Sequence, residues 1–448
     1  MKQQTGFASV LWPSCLAMLA VGANGTAIMA ALPTMRTELF LSAAGVQWAV
    51  NAYLVVSAAC IVLGGEAADR FDARWASIVG LALFGVASCI IAAAGTQTEL
   101  LAGRALQGLA AALAVPGTLA AVDTNAAPER RGSAIGAWTG FLMLGFSIGP
   151  LLGGALTHLA GWRAVFWVDV LLMLAAIAGL ATAGSAATRA DGTNGRRADW
   201  TGFVLLATFM VSLVFGLHAL PQVGAAPLPV VGPFVIAAAA FVLLLIVESS
   251  AEAPLVDLSF FARRGFVMGV AIGSLSMFSI MSLLLYFNLY AQSPEGLGLT
   301  ALEAGASLLP LSAALLSLAL SASAVAARVG VRNAMTGGMA LIAIASALIG
   351  MATAGGGMVL LAIGFFVMGS GLALPYALAP QLALSALPRA QAGKGSGVVN
   401  ACTFLAGGSG VAVGAIALAL GGFVGVLTMI ALAGIIGAAL SRGISETA

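Results

Sequence analysis

The sequence predicts an all-α integral membrane protein: two six-helix bundles with an inserted helix pair, about fourteen transmembrane helices in all, and both termini in the cytoplasm. Three observations predict it. Of 448 residues, 61% are hydrophobic and 8% charged, with mean hydropathy +1.08. Soluble domains carry roughly 25% charged residues, so this much apolar surface needs lipid as its solvent. Long apolar windows recur along the chain, each near the roughly 20 residues that cross a hydrocarbon core of about 30 Å. Cations gather on alternate connections between the windows, as basic residues resist transfer across the membrane.

The first window, 7–32, follows a lone Lys2 and exceeds the apolar core of a cleaved signal, so it is the expected first crossing. The charged stretch GEAADRFDAR at 65–74 separates the second window, 46–68, from the third, 75–95. The fourth, 98–122, holds Arg104; the fifth, 133–157, is rich in glycine; the sixth is 163–184. The polar connection GSAATRADGTNGRRADW at 184–200 closes the first bundle. Windows 200–220, which contains His218, and 228–248 form the inserted pair, supported by hydropathy alone. ESSAEAPLVDLSFFARRGF at 248–266 leads out of it. The second bundle takes 265–291, 302–327, 332–353, 356–383, 394–418 and 420–440, the last two separated mainly by LALGG. Three regions follow: a six-helix bundle over 1–184, a cytoplasmic linker with the inserted pair over 185–262, and a second six-helix bundle over 263–448.

With the N-terminus inside, fifteen of the eighteen Lys and Arg residues fall on inner connections. Arg36 and Arg163 fall outside, and Arg104 lies within a span. An internal repeat supports the two bundles. GSAIGAWTGFLMLGFSIG from Gly132 aligns with GSGVVNACTFLAGGSGVA from Gly395, and Arg328 and Arg332 take the places of Arg70 and Arg74. Paired bundles of this kind enclose a substrate cavity near the midplane in many transporters.

Composition also excludes. A net charge of +2 leaves no basic stripe for nucleic acid. Cys15, Cys60, Cys89 and Cys402 each sit in an apolar run without metal-ligand spacing, so no metal is expected. His158 and His218 have no ligand partners nearby, no glycine-rich lysine loop is present to cradle nucleotide phosphates, and no ring of charge suggests a channel filter. An intramembrane enzyme would need clustered acids, bases or metal ligands; it is the last of the readings, and the chain is expected not to be an enzyme.

Five motifs occur in order: QWAVNAYL at 47–54, GEAADRFDAR at 65–74, LLAGRALQGLAAA at 100–112, GFLMLGFSIGPLLGG at 140–154 and GWRAVFWVDV at 161–170. Together they resemble motifs of the major facilitator superfamily, specifically its fourteen-helix drug:proton antiporter branch. The resemblance implies a secondary active transporter that exports small organic compounds or drugs in exchange for protons by alternating access. It implies a cell-membrane location, no cofactor beyond the proton as coupling ion, and lipid and a small-molecule substrate as the partners of a monomer.

The resemblance also assigns roles. Gly65, Asp69, Arg70 and Arg74 match a gating loop between helices 2 and 3, where charges latch one access state; a solvated loop following the basic-inside pattern is the other reading. Asp72 stands where the family has glycine. Gly145, Gly149, Pro150, Gly153 and Gly154 match the antiporter motif of helix 5. The four-residue spacing of Gly145, Gly149 and Gly153 lets a neighbouring helix approach closely, and Pro150 removes a backbone hydrogen bond. Arg104, expensive inside a span, either snorkels to the outer surface or faces the interior and influences protonation. The first helix carries Asn24 where the family usually places aspartate, and an amide cannot carry a proton. Asp169, where the family usually has asparagine, is then the candidate proton carrier; a helix-start acid wetted from outside is its other reading. Asn24 and Gln107 are candidate substrate contacts, as are Met281, Tyr286, Tyr290 and Tyr376 of the second half, where Met and amphipathic aromatics suit apolar cargo. Asn24 also keeps open a second function, a selective facilitator or exporter of one metabolite.

Overall fold

The computed structural model describes residues 2–70, 72–127, 129–183, 199–220, 227–251, 254–388 and 391–444; the side chains of 2–7, 69–70 and 227–229 lie outside that description. Among the described residues every regular element is a helix. In order these are α1 Lys2–Glu38, α2 Ala43–Arg70, α3 Ala73–Ala93, α4 Gln97–Asn125, α5 Arg131–Ala160, α6 Arg163–Thr182, α7 Trp200–Ala219 and α8 Pro227–Ser250. They continue with α9 Arg264–Gln292, α10 Ala301–Ser307, α11 Leu309–Val329, α12 Val331–Met351, α13 Gly357–Ser385 and α14 Ala392–Ser441.

Local chemistry sets several boundaries. Thr96 and Glu99 form a reciprocal cap at the start of α4: Glu99 Oε2 accepts from the Thr96 N–H at 3.2 Å, and Thr96 Oγ1 accepts from the Glu99 N–H at 3.3 Å. Thr300 and Glu303 repeat the device at α10. The expected helix 302–327 bends at Leu308 into α10 and α11, where Pro310 cannot donate to the preceding turn. Gly330, at φ 84°, makes the tight corner between α11 and α12 that a Cβ would oppose.

By length and composition, twelve helical segments among the described residues suffice to cross a membrane, against the fourteen expected. The difference lies in two runs, 331–385 and 392–441, each of which counts once where two crossings are expected. The physical reason is the connection. Neither run contains a polar loop: a wide turn at Ala352–Gly356 joins α12 to α13, and inside α14 only Gly421 and Gly422 leave helical geometry, Gly422 at φ 60°.

The chain divides into two compact units, Met1–Phe203 and Val204–Ala448. In the first, α1 packs along α5, α4 along α2 and α3, and α6 against α3 and α1. In the second, α9 packs along α14, α13 along α11 and α12, and α12 also along α14. The same scheme of pairing thus recurs inside each unit, with the repeated stretches of α5 and α14 in matching places. Residues 184–198, where the long linker expected to end the first bundle falls, lie outside the described residues.

Candidate functional site

The site grows from one arginine. Arg104 sits two turns into α4 and has no exposed surface, so its guanidinium must find partners inside the protein. Nε donates to the Ala49 carbonyl of α2 at 2.8 Å. Nη1 donates to Asn24 Oδ1 of α1 at 2.8 Å and to Gln107 Oε1, one turn along α4, at 2.6 Å. The Tyr53 ring of α2 lies 4.6 Å from the guanidinium carbon, within cation–π range. Nη2 has no hydrogen-bond partner. Gln107 passes the chain on, its Nε2 donating to Ser88 Oγ of α3 at 2.8 Å.

At the other end, Asn24 Nδ2 donates to Asp169 Oδ2 of α6 at 2.5 Å. Arginine offers only donors and an ionised carboxylate only acceptors, so the amide has one satisfying orientation, oxygen toward Arg104 and nitrogen toward Asp169. The result is an unbroken chain of carboxylate, amide, guanidinium, amide and hydroxyl. Its side chains come from α6, α1, α4 and α3, and α2 adds the Ala49 carbonyl and the Tyr53 ring. Asp169 is 4% exposed and Asn24 1%. Chemically, the arrangement holds one group able to take a proton, placed an amide away from a fixed positive charge.

Four residues singled out from the sequence, Asn24, Arg104, Gln107 and Asp169, therefore fall in one cluster. Arg104 does not snorkel, and Asp169 is enclosed rather than wetted at a helix start. Each polar atom of the Asn24 amide makes one of these bonds within the protein.

The candidates of the second unit are placed differently. Tyr286 is 1% exposed, its hydroxyl donates to the Val411 carbonyl of α14, and its ring fills the space that a Cβ on Gly414 would take. It is an interhelical anchor between α9 and α14. Met281 is equally enclosed; Tyr290 stacks on Phe423 with centroids 4.8 Å apart; Tyr376 is half-buried on α13. A cleft of about 500 Å³ opens in this unit against α9 and α14, lined by Leu275, Phe278, Leu420, Met429 and Leu432 among others, and it holds none of these four residues.

Gly145, Gly149 and Gly153 of α5 face α1. A Cβ on Gly145 would lie 2.8 Å from the Ala23 nitrogen, one on Gly149 2.7 Å from the Ala23 carbonyl oxygen, and one on Gly153 2.7 Å from the Ala27 Cα. Gly154 is buried beside them. Pro150 adds a consequence that the sequence reading misses. Without an N–H it cannot serve the Phe146 carbonyl one turn back, and the Thr26 hydroxyl of α1 donates to that oxygen at 3.1 Å. The signal was available: a proline in a packed helix asks for a donor on the neighbouring helix.

In the charged stretch, Gly65 faces open space, and the side chains of Asp69 and Arg70 lie outside the described residues. Asp72 caps α3, its Oδ1 accepting from the Arg74 and Trp75 N–H groups at 2.9 and 3.1 Å, which explains an acid where a glycine was expected. Arg74 reaches the Ala181 carbonyl at the end of α6. At the opposite ends of these helices, Glu38 of α1, a residue the sequence reading passes over, accepts from Trp162 Nε1 at 2.7 Å and from Arg163 Nη1 at 2.9 Å. Arg163 Nη2 also donates to the Ala94 carbonyl at 3.1 Å, so one ion pair gathers α1, the end of α3 and the turn into α6.

A family profile described as Major Facilitator Superfamily matches residues 14–411. A tetracenomycin C resistance and export protein of Streptomyces glaucescens is 32% identical over 410 residues, 90% of this chain and 75% of that one. A methylenomycin A resistance protein of Bacillus subtilis (strain 168) is 32% identical over 306 residues, 68% of this chain and 64% of that protein. A lincomycin resistance protein of Streptomyces lincolnensis is 29% identical over 404 residues, 88% and 81% of the two chains. Among solved structures, a mutant peptide transporter crystallised with alafosfalin superposes with TM-score 0.71 over 99% of this chain and 98% of that one at 14% identity, a likeness of fold.

Proposed function

The chain belongs to the Major Facilitator Superfamily, and from that premise we propose that it is a secondary active transporter that exports small organic compounds, drugs among them, in exchange for protons. Relatives named for resistance to tetracenomycin C, methylenomycin A and lincomycin, one of them also for export, support this cargo class and direction. The observation that carries the proton coupling is the buried carboxyl of Asp169, bonded to Asn24 and through it to Arg104. Asp169 takes the proton; Arg104, held by Ala49 and Gln107, supplies the fixed charge against which that proton changes the local balance. A selective facilitator, marked by Asn24, is the second reading; what supports the first is the Asp169 carboxyl of α6 in contact with Asn24, an acid beside α1.

The inferred topology has fourteen crossings with both termini in the cytoplasm. A 50-residue helix such as α14 would extend about 75 Å, more than twice the hydrocarbon thickness, and its two non-helical glycines fall near its middle. The turn at Ala352–Gly356 divides 331–385 in the same way. The basic connections support the orientation, and the cytoplasmic membrane of a cell is the setting we propose. The loop from Gly65 through Arg74 is read as the gate, with Arg74 gripping the end of α6. The chain acts as a monomer, with the proton as coupling ion.

The test is efflux. Cells lacking their own pumps and expressing the chain are screened with dyes and antibiotics, and cargo found there is followed in proteoliposomes with and without a pH gradient. Gradient-driven export by the wild type, lost in Asp169→Asn with membrane insertion intact, is the expected result. Equal gradient-driven export by Asp169→Asn refutes Asp169 as the proton carrier.

A further inference from the structure

Asp169 and Arg104 are not joined directly: Asn24 lies between them and bonds both. We propose that Asn24 is a positioning residue that reports the protonation of Asp169 to Arg104, gripping the guanidinium while the carboxyl is ionised and slackening when it is neutral. This inference rests on Asp169 as the proton carrier and adds the path by which its state is felt.

The argument is electrostatic and geometric. An amide held between a carboxylate and a guanidinium is polarised from both ends: the anion draws on Nδ2–H, electron density rises on Oδ1, and the bond to Nη1 strengthens. Hydrogen bonds in series reinforce one another in a low-dielectric interior, and those to ionised partners are the strong ones. A proton on Asp169 removes the charge at one end and so weakens both bonds of Asn24. The remaining partners of Arg104 are unaffected, since the Ala49 carbonyl belongs to α2 and Gln107 to α4 itself. The slackening is therefore directional. It loosens α1 and α6 from α4 while Arg104 stays fastened to α2. Nη2, already without a partner, gives the guanidinium two further donors with which to meet a new acceptor once it shifts.

Other charges do not offer an equivalent route. The elements packed against α6 are α1, α3 and α5. Their titratable and charged groups with described side chains are Cys15, Arg36 and Glu38 of α1, Arg74 and Cys89 of α3, and Arg131 and His158 of α5, with Arg163 on α6 itself. Glu38 pairs with Arg163, Arg131 with Asp123, Arg74 binds the far end of α6, and Arg36 and His158 are exposed. Arg104 is the charged residue that Asp169 reaches through Asn24, and the Tyr53 ring lies against that same guanidinium.

Infrared difference spectroscopy tests this without any cargo, on the purified full-length chain in lipid nanodiscs with guanidinium-labelled arginine. Acidification should produce a protonated-carboxyl band that Asp169→Asn removes, together with a guanidinium shift that Arg104→Lys removes. In Asn24→Ala the carboxyl band should persist and at least most of the guanidinium shift should be lost. Asn24→Ser, whose hydroxyl is too short to span both partners, gives the same reading should the alanine variant not fold. A guanidinium shift that survives in these variants, or none in the wild type while the Asp169 band titrates, overturns the relay and leaves the proton carrier standing. A carboxyl band unchanged by Asp169→Asn overturns both.

Discussion

The seam between α1 and α5 permits a substitution whose sign can be worked out in advance. In Gly149→Ala the new methyl lies 2.7 Å from the Ala23 carbonyl oxygen and closer still to Thr26 Oγ1. A carbon and a carbonyl oxygen ordinarily rest about 3.3–3.6 Å apart, so the shortfall is at least about 0.6 Å. The Ala23 oxygen is backbone in the middle of a helix and cannot rotate away; α1 must retreat or bend. Overpacking of this kind costs about 1–3 kcal/mol. Alanine in place of a helical glycine returns about 1 kcal/mol, so the net change should be destabilising by about 0–2 kcal/mol. Gly136→Ala on the same helix isolates the contact. Gly136 is exposed with nothing within 4 Å of its would-be Cβ, so only the propensity gain applies there. The two variants should therefore differ by about 1–3 kcal/mol, the propensity contribution cancelling between them. Thermal unfolding in detergent reads this directly: a lower midpoint than wild type for Gly149→Ala, and an equal or higher one for Gly136→Ala. A Gly149→Ala protein as stable as Gly136→Ala would show that α1 does not press on Gly149, and the close-packed seam would be refuted.

Thr26→Val keeps the shape of the side chain and removes the donor that serves the Phe146 carbonyl, so it should cost about 0.5–2 kcal/mol in the same melt; Pro150→Ala in that background, which restores an N–H to α5, should recover part of the loss. Asp72→Ala removes the cap of α3 and should destabilise by about 1 kcal/mol, with Asp72→Asn retaining most of the stability. Exchanging the acid and the amide, Asn24→Asp with Asp169→Asn, keeps one carboxyl and one carboxamide in the same contact. It should recover gradient-driven transport that Asp169→Asn alone loses, and failure to do so would tie coupling to the acid on α6 specifically.

Most of the helices were legible because hydropathy integrates over twenty residues, and no single contact can hide so long a signal. Arg104 and Asp169 were legible for a related reason: a charge inside an apolar window stands out against its neighbours. The pairing between them was not. Whether Asn24 meets Asp169, 145 residues away, depends on how α1 and α6 are rotated about their axes, and apolar faces all round carry no phase to fix that rotation. Tyr286 shows the same limit from the other side. Its composition suits a cavity, and only Gly414 on the opposing helix reveals that it is packed. The breaks expected near 354 and 419 fall at glycine-rich connections, the turn at Ala352–Gly356 and the pair Gly421 and Gly422, where glycine turns the chain without adding polarity.

One short segment of α1 joins the two features of the first unit. Ala23, Thr26 and Ala27 meet the α5 glycines, spaced as i, i+3 and i+4 on one helical face. Asn24 lies on a different face at the same height, two residues or about 200° from Thr26, and bonds α4 and α6. The two faces differ in kind. The α5 side is held by close backbone contacts and the Thr26–Phe146 hydrogen bond, none of which involves a titratable group, so its strength does not depend on pH. The side of α4 and α6 is held by hydrogen bonds to a group that can take a proton, so its strength does. Because the contact with α5 is too close for sliding, a change in the Asn24 bridge is borne by α1 and α5 together rather than dissipated by α1 alone. On the proposal that Asp169 carries the proton, the glycines of α5 take a role beyond compactness, that of making α1 stiff enough for one proton on α6 to move more than one side chain. Gly149→Ala should then weaken gradient-driven transport even where it leaves the Asp169 and Arg104 infrared response intact, and a variant with a loosened seam but undiminished transport would separate the two features for good.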